Sequence, residues 1–284
     1  MTEVLFASLA ADNAAPFYRG LVQYLSAALG TPVRLLDEAP WHERKHALHR
    51  GQAQLGVVCG LQYVGAEHAL GLLGAPVMRG LRYGGRAIYF SDVVVRRDLP
   101  ANSFEALAGA RFAVNEPTSH SGYGIVRYAL AHHGYDGSFF GAVIESGAHE
   151  RSLELILNGE ADAAAIDSTV LETELRGRPR LAEKLRVVAT LGPSPSPPLV
   201  ASRLASTTLR AAVVDALLRM PQDPFGVKVL ENAHVAGFAA VADTDYEPIR
   251  EMARVGERVR WLRLQLGEDA LTAVDLARQR LPRP

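Results

Sequence analysis

The sequence has one cysteine, Cys59, and no apolar run long enough to span a membrane. A single cysteine excludes an internal disulfide, and no Cys/His group has the spacing of a zinc site. A transmembrane helix needs about 18 or more consecutive apolar residues, so we expect none. The first residues, MTEVLFASLAADN, also have neither the basic start nor the long apolar segment of a secretory signal.

The numbers of basic and acidic residues are also nearly equal. The chain has 30 Lys and Arg against 31 Asp and Glu, which gives a net charge of -1 at pH 7. We therefore predict neither nucleic acid nor an anionic membrane as a partner, and expect any bound anion to be held locally. With 284 residues and 48% apolar content, the chain can form one large or two medium domains.

Common catalytic and cofactor motifs are absent as well. There is no G-x-S-x-G, no Walker loop and no G-x-G-x-x-G after a strand. His42 and His46 are spaced as a metal pair on a charged helix, but no third ligand has a matching spacing. Cys59 lies within an apolar strand, which favours a buried, inert thiol. We predict no cofactor and no metal.

Apolar strands alternate with helical periodicity along most of the chain. Residues 4–10, VLFASLA, indicate a buried strand that is followed by a helix ending near Gly30. The alternation starts again after the β-prone run 87–96, with strands predicted at 111–115, 142–146 and 162–168. Strands that alternate with helices predict α/β units with mixed, mostly parallel sheets flanked by helices.

We predict two lobes, joined by crossings near residues 92 and 193. The first lobe would comprise 1–92 and 194–284, and the second 93–193. The proline-rich segment PSPSPP, 193–198, is interpreted as a connector because proline disfavours helices and central strands. A long amphipathic helical stretch is expected from about Tyr246. Two such lobes form a hinged clamshell, in which ligands bind in the cleft.

The segment NEPTSHSG, residues 115–122, lies between a predicted strand and a predicted helix. The free N–H groups at a helix start attract anions, and the Ser119 and Ser121 hydroxyls add donors. His120 can add one more, and Gly122 lets the backbone approach a ligand. The alternative is a simple N-cap, for which either serine would serve. Spacing alone leaves both interpretations open.

Several segments resemble the PhnD-like family of phosphate-, phosphite- and phosphonate-binding proteins of ABC importers, which have a type II periplasmic-binding-protein fold. The resemblance covers nearly the whole chain. It is carried by GVVCGLQYV (56–64), YFSDVVVRRD (89–98), NEPTSHSGY (115–123), SGAHERSLELILNGEADAAAIDS (146–168) and DPFGVKVLENAHVAGFAAVADTDYEPIREM (223–252). Family members usually have a Ser-Thr-Ser-Gly turn, so His120 departs from the pattern.

The resemblance implies a set of ligand-binding residues: Tyr63, Tyr89, Ser119, His120, Ser121, Gly122, His149 and Asp167. Other interpretations remain open for individual members. Tyr63 and Tyr89 lie beside apolar runs and could be core aromatics. His149 could be a solvated residue at a helix start, and Asp167 could cap the next helix.

The implied function is that of a binding protein that closes on a small oxyanion, for an ABC permease or as a ligand sensor. A carboxylate such as Asp167 would accept a hydrogen bond from a protonated oxyanion or pair with an amine on the ligand. A charged His120 would make binding weaken as pH rises. The alternative is an enzyme on the same fold. We expect a periplasmic location if a signal peptide has been removed, and a cytoplasmic one otherwise.

Overall fold

The computed structural model describes residues 3–261 and 264–266. The chain divides into two compact units. Of the described residues, the first unit contains 3–89 and Pro193 to Arg250, and the second contains Phe90 to Gly192, 251–261 and 264–266. No helix in these described ranges is long and apolar enough to cross a membrane.

The first unit is built on a six-stranded sheet. Its strands are β1 (Val4–Ser8), β2 (Val33–Leu35), β3 (Leu55–Val57), β4 (Leu70–Met78), β10 (Leu199–Ser202) and β11 (Val235–Ala239). Strand β1 lies between β2 and β3 and is parallel to both. Strand β10 pairs antiparallel with β3 and β4, and β11 pairs antiparallel with β4. The sheet is therefore mixed.

Helices cover this sheet because their apolar faces pack on its buried strands. They are α1 (Ala15–Leu29), α2 (Trp41–His49), α3 (Gly60–Val64), α8 (Thr207–Arg219), α9 (Pro224–Asn232) and the start of α10 (Glu247–Gly256). Helix α1 is capped at its C-terminal end by Gly30, which adopts a left-handed backbone conformation. Glycine adopts this conformation without steric strain because it has no Cβ. One core cluster joins Leu48 of α2, Leu70 of β4 and Tyr246.

The second unit has its own six-stranded sheet. Its strands are β5 (Ile88–Arg96), β6 (Arg111–Val114), β7 (Ala142–Glu145), β8 (Ala163–Asp167), β9 (Leu185–Pro195) and β12 (Leu264–Leu266). Strand β6 lies between β7 and β8, parallel to both, and β12 is parallel to β7. Strand β5 pairs antiparallel with β8 and has β9 as its other neighbour.

In the described residues, the second unit contains the end of α10 and the helices α4 (Ile125–His132), α5 (His149–Asn158), α6 (Ser168–Gly177) and α7 (Leu181–Lys184). The core includes Phe112 of β6 and Phe140, whose rings stack with centroids 4.2 Å apart. Strand β8, AAAID, is buried at every position, as expected for a strand with helices on both faces. It brings Asp167 to the carboxyl edge of the sheet.

The structure differs from the predicted elements at three places. Strand β9 continues to Pro195, where a connector was predicted; proline is tolerated there because β9 is an edge strand. The predicted C-terminal helical stretch ends at Gly256, and 264–266 form a strand beside β7. Residues 251–261 and 264–266 thus group with the second unit, whereas they were predicted in the first lobe. The rest of that prediction, 267–284, lies outside the described residues.

Candidate functional site

A group of buried polar side chains lies around the carboxyl ends of β6 and β8 in the second unit. It comprises Ser91, Asn115, Ser119, His120, Ser121, His149, Asp167 and Ser168, each at most 9% exposed. Buried polar groups are costly unless they form hydrogen bonds, so the partners of each side chain indicate what the group is built to do. We call this set the buried polar cluster.

The segment after β6 enters helix α4 through one turn of π-helix, His120–Gly124. Ser119 precedes this turn, and its Oγ accepts a hydrogen bond from Gly122 N at 3.2 Å. The Ser119 carbonyl accepts from Gly124 N at 3.0 Å, which closes the wider π turn. Ser119 is therefore an N-cap, as the simpler interpretation predicted. π turns are rare and recur at functional sites.

Ser121, His149 and Asn115 are brought together by this turn and by the start of α5. Ser121 Oγ lies 3.0 Å from His149 Nε2, and Asn115 Nδ2 lies 3.4 Å from the same nitrogen. If both groups donate, Nε2 is the acceptor and the ring proton is on Nδ1. His149 Nδ1 and Asn115 Oδ1 are buried without a hydrogen-bond partner. Two polar atoms of the cluster are thus unsatisfied in the protein alone.

Gly122 is packed against both of these side chains. A Cβ placed on Gly122 would lie 2.7 Å from Asn115 Cγ and 3.0 Å from His149 Cε1, and it would overlap Asn115 Oδ1. Real Cβ atoms essentially never approach other atoms under 3.0 Å. The glycine is therefore required for the close approach of the π turn to Asn115 and His149.

Burial keeps the two histidines of the cluster neutral. Loss of hydration lowers the pKa of His120 to about 4 and that of His149 to about 4. Without a bound anion, His120 is therefore neutral between pH 5.5 and 8, and the pH dependence of binding stays a prediction. Both rings act as neutral hydrogen-bonding groups.

Asp167 ends β8 and is the N-cap of α6. Its Oδ1 accepts from Thr169 N at 2.8 Å and from Thr169 Oγ1 at 2.7 Å, which is the capping role left open by the sequence. Burial raises the pKa of Asp167 to about 6, against the lowering effect of the Thr169 hydrogen bonds. Ser91 pairs with Asp167 across the sheet and donates from Oγ to Ser121 O at 2.5 Å. Strand β5 is thereby linked to the π turn.

Two of the predicted residues belong to the first unit. Tyr63 is 2% exposed and donates from its hydroxyl to Asp243 Oδ1 at 2.8 Å. Its ring packs against Tyr246 with centroids 4.9 Å apart, and burial with this hydrogen bond raises the pKa of Tyr63 to about 12. Tyr89 is 1% exposed. Both side chains are therefore buried, and the ligand contacts predicted for them stay predictions.

Sequence reasoning missed Asn115 and Ser91 as members of the cluster. Asn115 follows β6 directly, at the strand end where ligand-binding residues gather in α/β sheets. Ser91 and Asp92 interrupt the apolar run of β5, and Asp92 accepts a hydrogen bond from Thr190 Oγ1 at 2.8 Å. Two polar residues in this mostly buried strand were the available signal. In the described residues, no three His, Cys, Asp or Glu side chains are grouped as metal ligands.

Comparison with known proteins finds similarity to phosphonate-binding proteins at the level of family, sequence and structure. Residues 5–246 match the family described as "ABC transporter, phosphonate, periplasmic substrate-binding protein". The phosphonates-binding periplasmic protein of Escherichia coli K12 is 26% identical over 170 residues, which are 58% of this chain and 50% of that protein. The chain thus matches half the length of this curated relative.

Two solved structures are similar over nearly their full length. A binding protein component of an ABC phosphonate transporter from Pseudomonas aeruginosa has a TM-score of 0.79 at 18% identity, covering 97% of this chain and 93% of that one. PhnD1 from Prochlorococcus marinus MIT 9301, in complex with methylphosphonate, has a TM-score of 0.78 at 18% identity, covering 90% and 99%. These likenesses confirm the type II periplasmic-binding-protein fold. Because the family model spans most of the sequence, the chain belongs to the family of periplasmic substrate-binding proteins of phosphonate ABC transporters.

Proposed function

We propose that this protein is the substrate-binding component of an ABC importer and that its ligand is a phosphonate or a closely related phosphorus oxyanion. The observation that carries the proposal is the pair of unsatisfied buried atoms beside the π turn. His149 Nδ1 can donate to an oxyanion oxygen, and Asn115 Oδ1 can accept from a P–OH group. The names of the family and of the relatives support the same ligand class.

Neutral donors would bind the oxyanion. The buried polar residues of the described chain include no Lys and no Arg, so the negative charge would be stabilised by hydroxyls, a neutral imidazole and backbone N–H groups at a helix start. Such groups are fixed before the ligand arrives and act in a water-poor environment, where each hydrogen bond to a charge is strong. This arrangement suits a binding protein, because it holds the anion without a nucleophile or a metal.

Within this site, we assign Ser119 and the N–H groups of the π turn to the oxygens of the ligand. His149 Nδ1 would donate to the same group, since Ser121 and Asn115 engage its Nε2. Ser121, whose hydroxyl donates to His149 Nε2, would orient that ring for binding. His120 would contribute as a neutral ring. Asp167 would accept a hydrogen bond from a P–OH group, or pair with an amine if the ligand has one.

Binding proteins of this fold act by closing two lobes on the ligand, and we extend that behaviour to this chain. The two units would be the lobes, and Tyr63 and Tyr89 would be the contribution of the first. The ligand-bound form would be the one that an ABC permease recognises, because closure is the change that reports occupancy.

Calorimetry on the dialysed protein tests the proposal. Methylphosphonate, phosphite and phosphate are titrated, with sulfate as an oxyanion without phosphorus. The Ser121→Ala variant should bind the best ligand about 10 to 100 times more weakly, because it removes the partner that orients His149 for donation from Nδ1, and a hydrogen bond to a charged group contributes about 1.5–3 kcal/mol. Ser138→Ala, an exposed serine of the same unit, is the matched control and should bind normally. Absence of binding for every phosphorus oxyanion would refute the assignment.

A further inference from the structure

The first unit contains a pocket that the site in the second unit does not involve. It has a volume of about 350 Å³ and lies where β1 and β2 end, between the start of α1 and helix α2. Its lining includes Ser8, Asn13, Arg19, Asp37 and Arg44. All of its residues come from the first 44 of the chain, so the pocket belongs to this unit alone.

Arg44 lines this pocket and has no acidic partner among the described residues that neutralises its charge. Its Nη1 donates to the Ser8 carbonyl at 2.7 Å, and its Nε is buried without a hydrogen-bond partner. No carboxylate in the described part of the chain forms an ion pair with it. A half-buried cation without a counter-charge is unfavourable, and the Ser8 carbonyl fixes its position at the pocket wall.

The other charges of the pocket do not supply this counter-charge. Arg19 Nε and Asp37 Oδ2 are 3.1 Å apart and neutralise each other at the rim. Asp12 also lines the pocket, but it is exposed, so solvent screens its charge. The unbalanced charge in the interior is therefore positive. Apolar neighbours such as Leu35, Ala10 and Pro16 leave room for a small organic substituent.

We propose that this pocket is a second anion site, in which Arg44 binds the oxyanion group of a small molecule, either a carboxylate or a phosphoryl group. A guanidinium fits both groups because its planar set of N–H donors matches two oxygens at once. Nη1 is anchored on Ser8, so the guanidinium is pre-oriented before the ligand binds. This inference uses the first unit only and does not depend on the proposed phosphonate site.

Nuclear magnetic resonance of the full-length protein tests the site directly. A buried Nε–H exchanges slowly with water, so its ¹⁵N–¹H signal can be observed and assigned by its loss in Arg44→Lys. Acetate, methylphosphonate and inorganic phosphate are titrated separately, with sodium chloride as the control for ionic strength. We expect this signal to shift saturably with at least one of the three, and their ranking tells a carboxylate site from a phosphoryl site. No shift, or the same shift with sodium chloride, would overturn the proposal.

Variants separate this pocket from the site in the second unit. Arg44→Gln should weaken binding in the pocket by about 10-fold or more. Asp12→Asn should change the affinity by less than about 3-fold, because solvent screens the charge of this exposed carboxylate. Arg50→Gln, at the exposed end of the same helix, makes the same change in net charge and should leave affinity within about 2-fold. Ser121→Ala should leave the Arg44 signal and its titration unchanged. Equal affinities in Arg44→Gln and Arg50→Gln would refute a role for Arg44.

Discussion

At the residue scale, the absence of a side chain at Gly122 determines the geometry of the buried polar cluster. A methyl group there would overlap the Asn115 amide and press on the His149 ring. We expect Gly122→Ala to lower the free energy of unfolding by about 1–3 kcal/mol, the usual cost of overpacking, and to abolish phosphonate binding. Chemical denaturation and calorimetry measure the two effects.

Gly177 provides the matched control for that substitution. It is the last residue of α6, and a Cβ built on it meets no atom within 4 Å. Gly177→Ala should be neutral or stabilise the protein by up to about 1 kcal/mol, because alanine is the better helix former. Equal effects of the two substitutions would contradict the close packing inferred for Gly122.

The two buried histidines make stability depend on pH in the acid range. Their folded pKa values of about 4 lie below the ordinary value of 6.5, so the unfolded chain takes up protons first. Stability is therefore lost as pH falls from about 6.5 towards 4, by on the order of 3 kcal/mol per histidine at the acid limit. The ring signals of His120 and His149, assigned with His120→Gln and His149→Gln, should not titrate above pH 5. A midpoint near 6.5 for either ring would contradict its burial.

At the element scale, Asp167 stabilises the start of α6 but pays a desolvation penalty as an anion. Its folded pKa of about 6 lies above the ordinary value of 3.8 for an aspartate, so the penalty is fully present above pH 6 and disappears as pH falls to about 4. Asp167→Asn keeps an oxygen that can accept from Thr169. We expect this variant to be more stable than the natural protein at pH 7, by on the order of 2 kcal/mol, with the difference vanishing near pH 4.

Denaturation curves between pH 4 and 8 measure this difference. Asp223 is the N-cap of α9, where Oδ1 accepts from Gly226 N at 2.7 Å. Asp223→Asn therefore makes the same substitution at a cap in the first unit and controls for the change in capping alone. A loss of stability at pH 7 in Asp167→Asn that stays constant down to pH 4 would show that capping, and not ionisation, dominates at Asp167.

The regular elements were predictable because their signals are local. The apolar run of β1 and the helical spacing of α1 up to Gly30 follow the sequence closely. The prediction ended strand β9 before its prolines, because proline lacks the N–H group that a central strand needs. Strand β9 lies at the edge of the sheet, where this N–H group is not required. Edge position depends on the whole sheet and cannot be read from a local pattern. The π turn at His120–Gly124 was also missed, since it depends on packing rather than propensity.

The candidate site was predictable only in part. The hydroxyl-rich turn indicated Ser119 and Ser121 together, and the structure places Ser121 within 3.0 Å of His149, which is 28 residues further along. Nothing local predicted that contact, because it requires β6 and the start of α5 to be neighbours. The role of Asn115 was not predicted for the same reason, because it depends on the contact of Asn115 with His149. Ligand contacts of Tyr63, Tyr89 and Asp167 stay predictions.

At the scale of the whole molecule, the chain passes between its two units three times, at Tyr89, Gly192 and Arg250. The first two positions lie close to the predicted crossings, and the third was not anticipated. Helix α10 contains this third passage, since it starts in one unit and ends in the other. An amphipathic pattern reports that a helix has one buried face, but it does not report which unit that face covers.

The charge balance of the molecule leads to a last prediction about affinity. With a net charge of -1 and no Lys or Arg among the buried polar residues of the described chain, long-range attraction makes little contribution to anion binding. Screening by salt should therefore change the dissociation constant for methylphosphonate by less than about 3-fold between 20 and 300 mM. Calorimetry in sodium chloride and in sodium gluconate separates screening from competition by chloride. A 10-fold or larger weakening in both salts would mean that a cation, and not the neutral donors of the π turn, dominates binding.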